Sequence, residues 1–200
     1  MQHQAQINAA YTPSGYDYSD YFKSIKDEIS RADIAIGNLE VTLGGKPYKG
    51  YPTFSAPDEY LYAIRDAGFN VLVTANNHCL DKGKNGLERT IQMLDSLHIP
   101  HAGTYINADT RKQQYPLLLE QNGFRIALLN YTYGTNGIKV TYPNIVNYID
   151  KAIIMQDIKD AKTLHPDAII ACMHWGDEYH SLPNKEQTTL ADWLLEQGVT

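Results

Sequence analysis

The sequence predicts an α/β fold in which helices layer against a largely parallel sheet. Two observations carry that reading. Segments with the apolar spacing of helices alternate with short apolar runs along the 200 residues. One pair of runs is joined by Asn122-Gly123, a hairpin turn signal that adds a single antiparallel pair. Composition is ordinary for a globular chain, 43% hydrophobic and 20% charged, and the length suits one domain spanning residues 1–200. No internal repeat or low-complexity linker divides it.

The elements follow in order. "YSDYFKSIKDEISRA" predicts a helix with Tyr21, Phe22, Ile25 and Ile29 on one face. "DIAIGNLE" follows as a short buried strand, and a Gly/Pro/Tyr-rich loop covers about residues 42–56. "APDEYLYAIRDAG" is a helix, with Pro57 in its first turn and Gly68 as a stop. "FNVLVTANN" is a strand, and "KNGLERTIQMLDSLH" a helix carrying Leu87, Ile91, Leu94 and Leu97. "YPLLLEQNGFRIALLNYTY" is the hairpin. "DKAIIMQDIKDAKTLH" is a helix, "DAIIACMHWG" a strand and "NKEQTTLADWLLEQG" a last helix.

A formal net charge of -6 and a pI of about 5.6, with no basic stripe, argue against binding nucleic acid through its phosphates. Cys79 and Cys172 are too few for a disulfide framework and read as small buried hydrophobes. No apolar run reaches the length of a membrane span, and "MQHQAQINAA" has neither the basic start nor the apolar core of a signal peptide.

Three strands end alike. One leads into Gly37-Asn38-Leu39-Glu40, one into Asn76-Asn77-His78, one into His174-Trp175-Gly176-Asp177-Glu178. Ligands of open α/β sheets bind outside the carboxyl ends of the strands, so neighbouring ends of this kind converge on one patch. Carboxylate, amide oxygen and imidazole suit divalent Mn, Zn, Fe or Mg, and equally a metal-free acid–base site. Singly, an Asn-Asn pair is a turn and a strand-end histidine a hydrogen-bonded structural residue. That reading is kept for His98, His101 and His165, the last as a helix exit before Pro166.

"GNLE", "ANNHCLDKG" and "HWGDEY", in this order and separated by α/β units, resemble the capsule-synthesis CapA family, associated with poly-γ-glutamate biosynthesis. The resemblance covers nearly the whole chain, and the three motifs together are specific. It implies the calcineurin-like metallophosphoesterase fold, a two-sheet α/β sandwich with its site at the strand ends. In the family, a strand ending in Gly-Asp precedes a segment like "MQHQAQINAA", and a Gly-His-x-His motif follows a strand like the one starting at Val199-Thr200. The resemblance thus implies a domain truncated at both ends, which by itself binds metal poorly.

By motif, Asn38 and Glu40 stand where metallophosphoesterases place a bridging Gly-Asp carboxylate, with Asn in place of that Asp and Glu two residues later. Asn77-His78 resembles the superfamily's pair of metal-bound amide and histidine acid. His174 resembles the later ligand histidine, and Glu178 is typical of CapA chains. Asp81 is placed to orient His78 and fix its tautomer. The implied cofactors are one or two divalent ions, and the implied location is the cell envelope, beside other capsule-synthesis membrane subunits.

Three functions remain open at this level. A metal-dependent hydrolase or transferase would act on a phosphorylated substrate, a phosphoester or acyl phosphate, with His78 at the leaving group. A polymer-handling component would hold an anionic polymer, with Lys46 and Lys49 of "GGKPYKGYP" as a clamp. A metal-free enzyme would use His78 and Glu178 as acid and base on a peptide-like substrate.

Overall fold

The computed structural model describes residues 2–200. The chain enters through helix α1 (Gln4–Ala10) and a small hairpin, β1 (Tyr11–Thr12) with β2 (Gly15–Tyr16). The helix expected over residues 18–32 contracts to α2 (Lys26–Ile29). Tyr21 and Phe22 pack on the core, but Ile25 is 47% exposed, so burial of the stripe does not extend along the segment.

β3 (Ile36–Asn38), β4 (Val71–Val73) and β5 (His101–Ala102) pair in parallel in that order. Between them run α3 (Asp58–Asp66) and α4 (Gly83–Ser96). Asp58 and Glu59 in the first turn of α3 complement its dipole. His98 closes α4 with φ 53°, and His101 Nε2 donates to Asp95 Oδ1 at 3.1 Å.

The second half holds β6 (Thr104–Tyr105), α5 (Ala108–Gln114), β7 (Leu117–Gln121), β8 (Phe124–Thr132) and β9 (Ile145–Val146). It ends with α6 (Lys151–Thr163), β10 (Ala168–His174) and α7 (Lys185–Glu196). Asn122 and Gly123 turn β7 into β8 with φ of 52° and 84°, the left-handed pair that a tight hairpin requires. β10 then pairs with β8 in parallel over seven residues. The Asp150 side chain caps α6 and Asn184 caps α7. His165 ends the α6 segment with φ 51°.

One largely parallel sheet is therefore not what forms. β3-β4-β5 and β10-β8-β7 are separate three-stranded sheets, the sandwich that the family resemblance implies. Val71 and Val73 of one sheet pack against Leu119 and Leu128 of the other. Alternation gives each sheet a second face. Leu72 meets the layer containing Leu61 of α3 and Leu94 of α4, while Ala127, Leu129 and Ile169 meet Ile154 and Ile158 of α6 and Leu190 of α7. Short strands and shared inner burial leave each sheet dependent on its partner.

Candidate active site

The inner face of each sheet turns polar at its carboxyl end. Ile170 and Cys172 of β10 face the opposite sheet, so alternation places His174 on that side. Ile34 and Ile36 do the same for Asn38 on β3. Past β4 the chain runs through Thr74 and Ala75 into Asn76, Asn77 and His78, all buried.

Asn76 sets the local geometry. Its Nδ2 donates to Asn38 Oδ1 at 3.1 Å and to Leu39 O at 2.9 Å, and its Oδ1 accepts His78 N–H at 3.0 Å. The first two strand ends are thereby locked together. Across the sandwich, His174 Nε2 lies 2.9 Å from Asn77 Oδ1, an acceptor, so the ring nitrogen donates. Glu40 Oε1 is 3.7 Å from the same nitrogen, and Asn38 Nδ2 donates to Glu40 Oε2 at 3.3 Å. Burial pushes the His174 imidazole below its ordinary pKa; the Glu40 carboxylate opposes that shift and charge on His78 adds to it.

His78 and Asp81 form a pair within the same turn, Nδ1 to Oδ2 at 2.7 Å. The same carboxylate oxygen accepts the Phe54 N–H at 2.6 Å, and the Phe54 ring meets the imidazole edge-on at 4.5 Å. An acid oxygen with two donors is fixed, and so is the ring that it holds. Nε2 of His78 is left for the cleft that His78 lines.

That cleft, about 460 Å³, opens over Glu40, Asn77, His78 and His174. Glu178 and Asp177 stand at its mouth; His3, Tyr51, Tyr133 and Trp175 line its sides. Tyr133 stacks on His174 with centroids 6.0 Å apart and planes 13° apart. Asn38, Glu40, Asn77, His78, Asp81 and His174 are thus brought together, with Glu178 at the edge. Lys46 and Lys49 are not; neither lines the cleft, and Lys46 belongs to a separate groove. Tyr133 follows the end of β8 and meets the strand-end criterion that singled out the others. His3 carries no such signal.

The donors fit a divalent cation in part. Imidazole nitrogen, amide oxygen and carboxylate oxygen are suitable ligands. To bind an ion, His174 Nε2 would first give up the proton that it shares with Asn77 Oδ1. Among the described residues, no three His, Cys, Asp or Glu side chains form a group able to hold a metal ion. The set therefore amounts to one imidazole, one carboxylate and amides.

Two facing sheets with a polar site at their carboxyl ends make this chain a two-sheet α/β sandwich. A solved structure of Haemophilus influenzae NAD nucleotidase (NadN) shares this fold, with a TM-score of 0.52 and 17% identity, over 80% of this chain and 32% of that one. The chain belongs to the family described as bacterial capsule synthesis protein PGA_cap, whose model matches residues 1–200. It is 28% identical over 196 residues to the capsule biosynthesis protein CapA of Bacillus anthracis, covering 92% of this chain and 46% of that protein. It is 31% identical over 145 residues to the PGA biosynthesis protein CapA of Bacillus subtilis (strain 168), covering 70% and 37%. The chain spans less than half the length of these relatives.

Proposed function

We propose that this chain carries the site of a metal-dependent hydrolase or transferase that acts on a phosphoester or acyl phosphate in capsule or poly-γ-glutamate synthesis at the cell envelope. The observation that supports it is the meeting of His174, Asn77 and Glu40 across two sheets, beside an oriented histidine. His174, Asn77, Glu40 and Asn38 would hold the divalent ion, Mn, Zn, Fe or Mg. When bound, that ion polarises the scissile group and supplies a nucleophile at neutral pH. Asp81 accepts from Nδ1 of His78, so the protonated ring would give its Nε2 proton to the leaving oxygen and be left neutral with the Nδ1 proton in place. Tyr133 and Trp175, which line the cleft, would flank the substrate. With three acidic side chains and no Lys or Arg lining the cleft, an anionic polymer is better matched by the ion than by the protein.

The test needs no turnover. Mn²⁺ titrated into the isotope-labelled chain should broaden the NMR signals of His174, Asn77 and Glu40 first, and His174→Ala should remove that pattern. Broadening elsewhere, or none, overturns the metal reading. Hydrolysis of bis(p-nitrophenyl) phosphate should depend on Mn²⁺ and fail with His78→Ala. Hydrolysis that survives chelation would favour acid–base chemistry by His78 and Glu178 instead.

A further inference from the structure

A second groove, about 590 Å³, runs between α1 and the 46–48 segment, apart from the cleft. Its volume lies in the range of small-ligand sites. Tyr11, Tyr16 and Tyr48 form an aromatic wall, Tyr16 meeting Tyr11 at 5.7 Å and Tyr48 at 5.3 Å, both edge to face. An edge-to-face series presents ring faces in more than one direction, and Tyr11 is 65% exposed.

The polar side of the groove is ordered by a one-way chain of hydrogen bonds. The Gly50 N–H, which can only donate, donates to Gln4 Oε1 at 3.1 Å. That fixes the amide of Gln4, whose Nε2 donates to Asn8 Oδ1 at 3.0 Å. Asn8 Nδ2 is consequently turned away from Gln4 with both hydrogens to give. The loop can lie this close only because residue 50 is glycine; a Cβ there would sit 2.2 Å from Gln4 N. Lys46 is the single charged residue in the lining, and no carboxylate shares it. The groove thus combines ring faces, a preset amide donor and one cation.

We propose that this groove is a binding subsite for an acidic sugar unit, a pyranose ring carrying a carboxylate. The ring lies on a tyrosine face, its hydroxyl oxygens accept from Asn8 Nδ2, and its carboxylate pairs with Lys46. A flexible anionic chain without rings satisfies Lys46 but leaves the tyrosine faces uncovered and costs more ordering entropy. The inference stands apart from the metal reading of the cleft, and failure of either leaves the other in place.

The experiment is an NMR titration of the 200-residue chain with tetragalacturonate, its methyl ester and tetra-γ-glutamate. Tetragalacturonate should shift the ring signals of Tyr11 and Tyr16 and the side-chain amide of Asn8. The ester should bind about tenfold more weakly. Lys46→Ala should bring the acid down to the affinity of the ester while leaving the ester unchanged, and Tyr11→Ala should weaken both. Lys46 and Tyr11 are exposed, and circular dichroism checks that both variants stay folded. Equal or tighter binding of tetra-γ-glutamate, shifts confined to the cleft, or no binding of the sugar acid would overturn the proposal.

Discussion

Asn130 of β8 accepts the Ala75 N–H at 2.7 Å, so the central strands of the two sheets are joined one residue before the Asn-Asn-His segment. Its Nδ2 donates in turn to Cys172 O of β10 at 3.0 Å. The junction is tight enough to require glycine at 103, where φ is +121° and a Cβ would fall 2.1 Å from Asn130 Oδ1. Asn130→Ala leaves the buried Ala75 N–H unpaired, at about 1–3 kcal/mol. We expect the urea midpoint to fall accordingly, and the His174 ring signals to move as the sheets lose register. Gly103→Ala should also destabilise, by more than about 1 kcal/mol. An unchanged midpoint in both would mean that the sheets are held by their apolar layer alone.

Asp81 does two tasks with one oxygen, holding His78 and pairing the Phe54 N–H. Asp81→Ala should therefore cost about 1–3 kcal/mol of stability, because a buried backbone donor is orphaned. It should also release the tautomer. In the native chain, nitrogen NMR of the neutral form of the His78 ring should show its proton on Nδ1, and in the variant a mixture of both tautomers. A variant with the native nitrogen pattern would remove Asp81 from any positioning role.

Much of this site was legible because it obeys local rules. "AIIACMH" alternates, so the side of Ile170 and Cys172 is also the side of His174. The Asn122-Gly123 turn needed only left-handed φ, and both residues adopt it. Asn130 was missed, although an amide inside "ALLNYT" is a signal. A polar group in a buried strand needs a partner, and its partner at Ala75 lies 55 residues away, beyond any local pattern. The 18–32 helix failed for the opposite reason. Its stripe was sound, but tertiary packing covers only Tyr21 and Phe22. Two-residue strands such as β5, β6 and β9 carry too little sequence to show a period. Lys46 and Lys49 suggest a clamp by charge alone, and the loop carries them away from the cleft.

The last expectation concerns alkaline pH. Tyr105, Tyr115 and Tyr131 pack together in the core beneath α6, and Tyr131 donates to Asp157 at 2.8 Å. Burial raises all three pKa values above the ordinary 10, and burial pushes Tyr60 up to about 12. The sign follows from linkage. A phenol that stays protonated longer in the folded chain gives stability that is complete below pH 10 and lost as pH rises through the folded value. Urea stability should therefore be flat from neutral pH to about 9 and should fall steeply above 10. Tyr60, Tyr105, Tyr115 and Tyr131 should give tyrosinate absorbance only together with unfolding. A single smooth titration near pH 10 with structure retained would show that water reaches these phenols and that the layer under α6 is open.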